Sequence, residues 1–149
     1  MTTKWEPNLK KVKLKRSRKG ALDMGFQKLC DLNTKYNTSI KYLSDIKDYY
    51  GKIAINLNKY VLVAKNYPYG FMVSVDEMIV NYCKNQNKKL LLYLKSSNNI
   101  YEFDPTQIIQ YGEPNQRGKS TMLNFKIQLG QNFEKVAENQ LKAKQSKMF

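Results

Sequence analysis

Apolar positions Leu22, Phe26, Leu29 and Tyr36 recur near helical spacing. They predict a helix over residues 21–36 with one buried face, weakened slightly by Gly25. Residues 36–38 break the pattern. Residues 39–50 read two ways: Ile40, Leu43, Ile46 and Tyr50 fit a helix, while Ile40, Tyr42 and Ser44 alternate as in a strand. From Lys52 the period is two, with Ile53, Ile55 and Leu57 on one face and Lys52, Asn56 and Asn58 on the other. Residues 60–65 read as a second strand, joined to the first by a tight turn at Asn58 and Lys59. Pro68 and Gly70 punctuate a loop, NYPYG, at residues 66–70. Ser74 then reads as a helix N-cap, with Glu77 completing a capping box and Val73 and Met78 at the staple positions. Val75, Met78, Ile79, Tyr82 and Cys83 form the buried stripe of that helix, which ends near residues 85–87.

The apolar run at residues 90–94 predicts a central strand buried on both faces. KSSNN at residues 95–99 is a turn, and residues 100–104 are the returning strand. A helical turn is expected at residues 106–110 and a polar loop at residues 111–120. Thr121, Leu123, Phe125 and Ile127 alternate with polar partners as a strand, and Phe133, Val136, Ala137 and Leu141 mark a final amphipathic helix. The expected fold is α+β (mixed α/β): a single small domain over residues 20–142. One mixed sheet of about five strands would pack with two to four helices, between a basic disordered arm at residues 1–19 and a tail at residues 143–149.

Length and composition narrow the chemistry. At 149 residues the chain suits one domain, and 42% hydrophobic residues supply a core. The longest apolar run is strand-sized, so neither a membrane span nor a signal peptide is expected. There is no histidine and there are only two cysteines. That excludes a disulfide framework, Ser-His-Asp and Cys-His machinery, and histidine-zinc or haem sites. Cys30 and Cys83 read as small buried hydrophobes, which fits an intracellular, reducing compartment, cytoplasmic or nuclear.

The net charge of +14 is unevenly spread. Residues 1–20 carry eight basic residues and one acid, half of the total. Lys10, Lys11, Lys13, Lys15, Arg16, Arg18 and Lys19 form a self-repelling arm whose natural partner is a polyanion, because each cation that meets a phosphate releases a counterion. A solubilising tail or localisation tag is the plainer reading. Residues 112–120 end in GKST, but the two glycines are five residues apart rather than four, and a strand follows where a phosphate loop needs a helix. Arg117 and Lys119 remain as a basic loop suited to a phosphate backbone. Tyr60, Tyr67, Tyr69, Phe71 and Tyr93 lie among lysines, a pattern that suits base stacking. Tyr67 and Tyr69, in a Pro/Gly loop, are the surface candidates. Glu102 and Asp104 alternate on one strand and so share a face, where two carboxylates suit a Mg²⁺ ion.

Two stretches resemble a known family. KRSRKGALDMGFQKLCDL, residues 15–32, resembles the basic, acid-bearing opening helix of PD-(D/E)xK nucleases, including archaeal-type Holliday junction resolvases. KYVLVAKNY, residues 59–67, resembles the strand bearing the E-x-K motif, and a helix and a buried strand follow in the family's order. The resemblance places Lys65 at the motif lysine, Asp48 at the preceding metal-binding acid and Asp23 at the helix acid. The central acid position holds Val63. Two or three carboxylates must surround a metal that activates water. The resemblance therefore implies either an acid supplied from elsewhere, Asp76 or Glu102, or a fold kept for binding without cleavage.

The first expectation is a nucleic-acid-binding protein, DNA before RNA, of viral, plasmid or mobile-element type. It would use the arm with Lys65, Tyr67, Tyr69, Arg117 and Lys119, need no cofactor and engage no membrane; a homodimer stays open. The alternative is a Mg²⁺- or Mn²⁺-dependent endonuclease using Asp48, Lys65, Asp76 and Glu102, with Asp48 and Glu102 on the metal. A third reading is an interaction module whose arm binds an acidic protein.

Overall fold

The computed structural model describes residues 20–48 and 51–147. The basic arm, residues 1–19, lies outside the described residues. The helix α1 (Ala21–Tyr36) forms where the apolar spacing places it and buries Leu22, Phe26, Leu29 and Leu32. Asn37 closes it in the left-handed conformation that short polar side chains tolerate, its N–H donating to the Asn33 carbonyl.

Three strands follow as an antiparallel meander: β1 (Tyr42–Asp48), β2 (Gly51–Leu57) and β3 (Tyr60–Lys65). Within the ambiguous residues 39–50, the described part from Tyr42 to Asp48 is a strand. Asn58 fixes the tight turn between β2 and β3, its side chain accepting from the Lys41 N–H at 2.7 Å and donating to the Ser39 carbonyl at 3.0 Å.

The chain then builds β4 (Met72–Asp76), α2 (Glu77–Asn85), β5 (Lys89–Leu94), β6 (Asn99–Phe103) and α3 (Pro105–Tyr111). It continues through β7 (Glu113–Arg117), β8 (Ser120–Lys126), β9 (Gln131–Asn132) and α4 (Phe133–Lys147). A six-stranded mixed sheet has the order β1-β2-β3-β5-β6-β9, with β3 and β5 parallel. A second sheet of three antiparallel strands has the order β4-β8-β7. The α+β expectation holds for a single small domain, with four helices among the described residues, six strands rather than about five in the mixed sheet, and a second sheet in addition.

The β5 strand is central and buried on both faces, as its unbroken apolar run requires. Leu91 and Tyr93 face α1 and α4, packing with Phe26, Leu29 and Phe133. Leu90, Leu92 and Leu94 face the other way, onto Val75, Val80, Ile108 and Phe125 of α2, α3 and the second sheet. Each such side chain contributes about 1.5–3 kcal/mol of burial.

At Gly25, α1 lies close against β5. A Cβ there would lie 2.7 Å from the Tyr93 Cβ and Cγ. Tyr93 is fully buried and its hydroxyl donates to Asn98 at 2.8 Å, so it has no room to yield. Gly25→Ala is expected to cost about 1–3 kcal/mol by overpacking, despite the roughly 1 kcal/mol of helix propensity it gains. A urea midpoint at or above that of the parent would contradict this.

Three local expectations need correction. Ser74 does not cap a helix. It lies in β4, where Val73 and Val75 point inward against Phe125 and Leu123, and its hydroxyl bonds Asn124 across the ladder. Asp76 caps α2 instead, accepting from the Met78 N–H at 2.9 Å, and Met78 is left exposed rather than stapled to Val73. Residues 111–120 are not a loop, because β7 pairs along β8 there although every β7 residue is exposed. Finally, α4 runs on to Lys147, through most of the expected tail.

Candidate nucleic-acid interface

The β7–β8 hairpin turns at Gly118 and Lys119. Gly118 has φ +57°, the left-handed value that a tight hairpin turn asks of its first central residue. The Gln116 side chain steadies the tip, donating to the Gly118 carbonyl at 3.1 Å and accepting from the Thr121 hydroxyl at 2.9 Å. Asp76 aligns with Met122, and Met122 with Asn115. The tip therefore extends beyond the end of β4, carrying Arg117 and Lys119 into solvent.

Lys65, the last residue of β3, is half-buried within electrostatic reach of both Arg117 and Asp76. Its pKa is lowered from the usual lysine value, first by burial and then by the Arg117 charge, against the opposing pull of Asp76. Two cations thus share a neighbourhood with one carboxylate, and that carboxylate is also engaged in capping α2.

Beyond Lys65 the chain forms an aromatic hairpin. Tyr69 and Met72 exchange two backbone hydrogen bonds of 2.9 Å around Gly70, whose φ is +59°. The Phe71 carbonyl accepts from Ile127 at 2.8 Å, anchoring the hairpin to the end of β8. Tyr67, Tyr69 and Phe71 are 63%, 75% and 70% exposed, and the Tyr67 and Tyr69 rings meet edge to face at 6.3 Å.

The other aromatic candidates are internal. Tyr93 is a core residue, and Tyr60 packs edge to face on Phe133, its pKa raised by burial and by neighbouring Glu102. Several lysines of that group are also engaged: Lys88 donates to Asn56 at 2.7 Å, and Lys89 lies 3.6 Å from Glu102. Lys126 gives no signal in the sequence, where it reads as the polar alternate of a strand. It is exposed opposite Met72, beside the aromatic hairpin.

Of the four residues suggested for hydrolysis, Lys65 and Asp76 come together and the other two stand apart. Asp48 is exposed at the end of edge strand β1, accepting from the Gly51 N–H at 3.1 Å. Glu102 lies on β6 opposite Leu91, facing α1 and α4, whereas Lys65 follows Val61 and Val63 on the opposite face. Four strand spacings, about 19 Å, separate β1 from β6. Asp104 does not share a metal site with Glu102, because it caps α3 through the Thr106 N–H at 2.9 Å. Among the described residues, no three acidic or cysteine side chains gather to hold a metal ion.

The helix acid Asp23 is buried in an ion pair with Lys52 of β2 at 2.9 Å, both side chains almost wholly out of solvent. Cys83 is buried, which pushes its thiol up to about 12, and Cys30 is half-buried on α1. Among the described residues, no helix is long and apolar enough to cross a membrane. Comparison with protein-family models, with curated proteins and with solved structures finds no match.

Proposed function

We propose that the chain is a nucleic-acid-binding protein that grips the phosphate backbone without cleaving it. The observation that carries this reading is that Lys65 lies within electrostatic reach of Arg117 at the base of the basic hairpin tip, while the exposed rings of Tyr67, Tyr69 and Phe71 follow Lys65 in the chain. Phosphate oxygens would relieve the repulsion between Lys65 and Arg117, and the arm (Lys10, Lys11, Lys13, Lys15, Arg16, Arg18 and Lys19) would add sequence-independent contacts. DNA is the favoured polymer, and the compartment is intracellular and reducing.

A nuclease-like scaffold without hydrolysis agrees with three features. Val63 is buried where the motif acid is expected, Asp23 is neutralised by Lys52, and Asp48 and Glu102 stand far apart. Their separation counts against a two-carboxylate metal site built from these residues.

Charge reversal of the tip tests the reading. Arg117→Glu with Lys119→Glu is expected to weaken binding of labelled DNA regardless of sequence. Each lost phosphate contact should flatten the log–log salt slope by about 0.9. Plasmid DNA incubated with Mg²⁺ or Mn²⁺ should remain uncut. Cleavage that disappears in Lys65→Ala would instead support the endonuclease, and competition by heparin but not by nucleic acid would support an acidic protein partner.

A further inference from the structure

Resting on the nucleic-acid reading above, we propose that the aromatic hairpin is a stacking platform that selects single-stranded over double-stranded nucleic acid. Tyr67, Tyr69 and Phe71 project three large rings into water from a tip of the fold. The backbone holds the tip without them, through the paired bonds between Tyr69 and Met72 and the bond from Ile127 to Phe71. A Cβ added at Gly70 would meet no atom within 4 Å, so the tip is open rather than wedged against the body.

Exposed rings gain most by covering another flat apolar face, and an unpaired base offers one. A duplex does not, because its bases are already stacked on one another. The rings therefore discriminate by strandedness, while cations that meet phosphates bind both forms.

The cations are placed to hold such a strand. Lys126 flanks the aromatic end of β4, opposite Met72. Lys65, Arg117 and Lys119 flank the other end, at Asp76. The five residues of β4 span about 16 Å, room for more than one phosphate of a strand. Between the two ends the outward face carries Ser74 bonded to Asn124, and Met122 beside Asn115. The acids of this face are Asp76, which lies against Lys65, and the exposed Glu113 opposite Asn124.

The test compares full-length chains by fluorescence anisotropy. The probes are oligo-dT and oligo-rU of about 20 nucleotides and a blunt duplex of the same length. The parent should bind a single strand more tightly than the duplex. Alanine at Tyr67, Tyr69 or Phe71 should each lower single-strand affinity by about 5- to 150-fold and leave duplex affinity within about twofold. Tyr69→Phe, which keeps the ring, should bind like the parent. Unchanged urea midpoints would verify that these exposed positions do not support folding. Ring variants that weaken both forms alike, or neither, overturn the single-strand selection, while salt-sensitive duplex binding leaves the broader reading standing. Binding to no probe at low salt overturns both.

Discussion

Deleting residues 1–19 should remove most of the salt-sensitive affinity for nucleic acid. That segment carries half of the net charge of +14 and has one acid to oppose its cations. Each cation that neutralises a phosphate adds about 0.9 to the slope of log affinity against log salt. If the seven residues from Lys10 to Lys19 all do so alongside Lys65, Arg117 and Lys119, the full chain should lose on the order of 10⁵-fold in affinity between about 50 and 200 mM salt. The truncated chain, relying on Lys65, Arg117 and Lys119, should lose only about 40-fold over the same range. Anisotropy titrations of both proteins over that range measure the two slopes. Equal affinity at low salt would show that the arm is a solubilising tail and would confine binding to the folded body.

Lys52→Met should strongly destabilise the body. Lys52 and Asp23 meet at 2.9 Å with their side chains 3% and 4% exposed. Removing one member of a buried ion pair takes the close counter-charge from the other in a poorly solvating interior, at a cost of about 3–5 kcal/mol. A domain of this size has only about 5–15 kcal/mol in total, so partial unfolding at room temperature is within reach. Replacing both partners, Asp23→Leu with Lys52→Met, should recover much of that loss because no buried charge remains. Urea denaturation of the two singles and the double gives the coupling directly. A double loss equal to the sum of the two single losses would mean that the charges do not couple and that each side chain contributes packing alone.

Much of the architecture was legible because burial leaves a period in the sequence. Leu22, Phe26 and Leu29 mark the buried face of α1, and residues 90–94 mark a strand covered on both sides. The errors occur where that signal fails. At β4, Ser74 and Glu77 imitate a capping box, but the alternation of Val73 and Val75 against Phe125 and Leu123 prevails, and Asp76 takes the cap. At β7, no residue is buried, so backbone pairing to β8 leaves no hydrophobic trace. The site divides along the same line. The exposure of Tyr67 and Tyr69 followed from their Pro/Gly loop. The nearness of Lys65 to Arg117, 52 positions later in the chain, depends on how the second sheet docks, which no local pattern encodes. Glu102 shows the converse. Its spacing from Asp104 suggested a shared metal, yet register sets it opposite Leu91, inside the helix-covered face.

The exposure of β7 also bears on self-association. An uncovered edge strand offers a row of backbone donors and acceptors to any second chain, which is how sheets extend into aggregates. Glu113 and Arg117 place opposite charges at its two ends, and Pro114 brings no N–H to a growing ladder. These three residues oppose edge-to-edge addition along the strand that presents the basic tip.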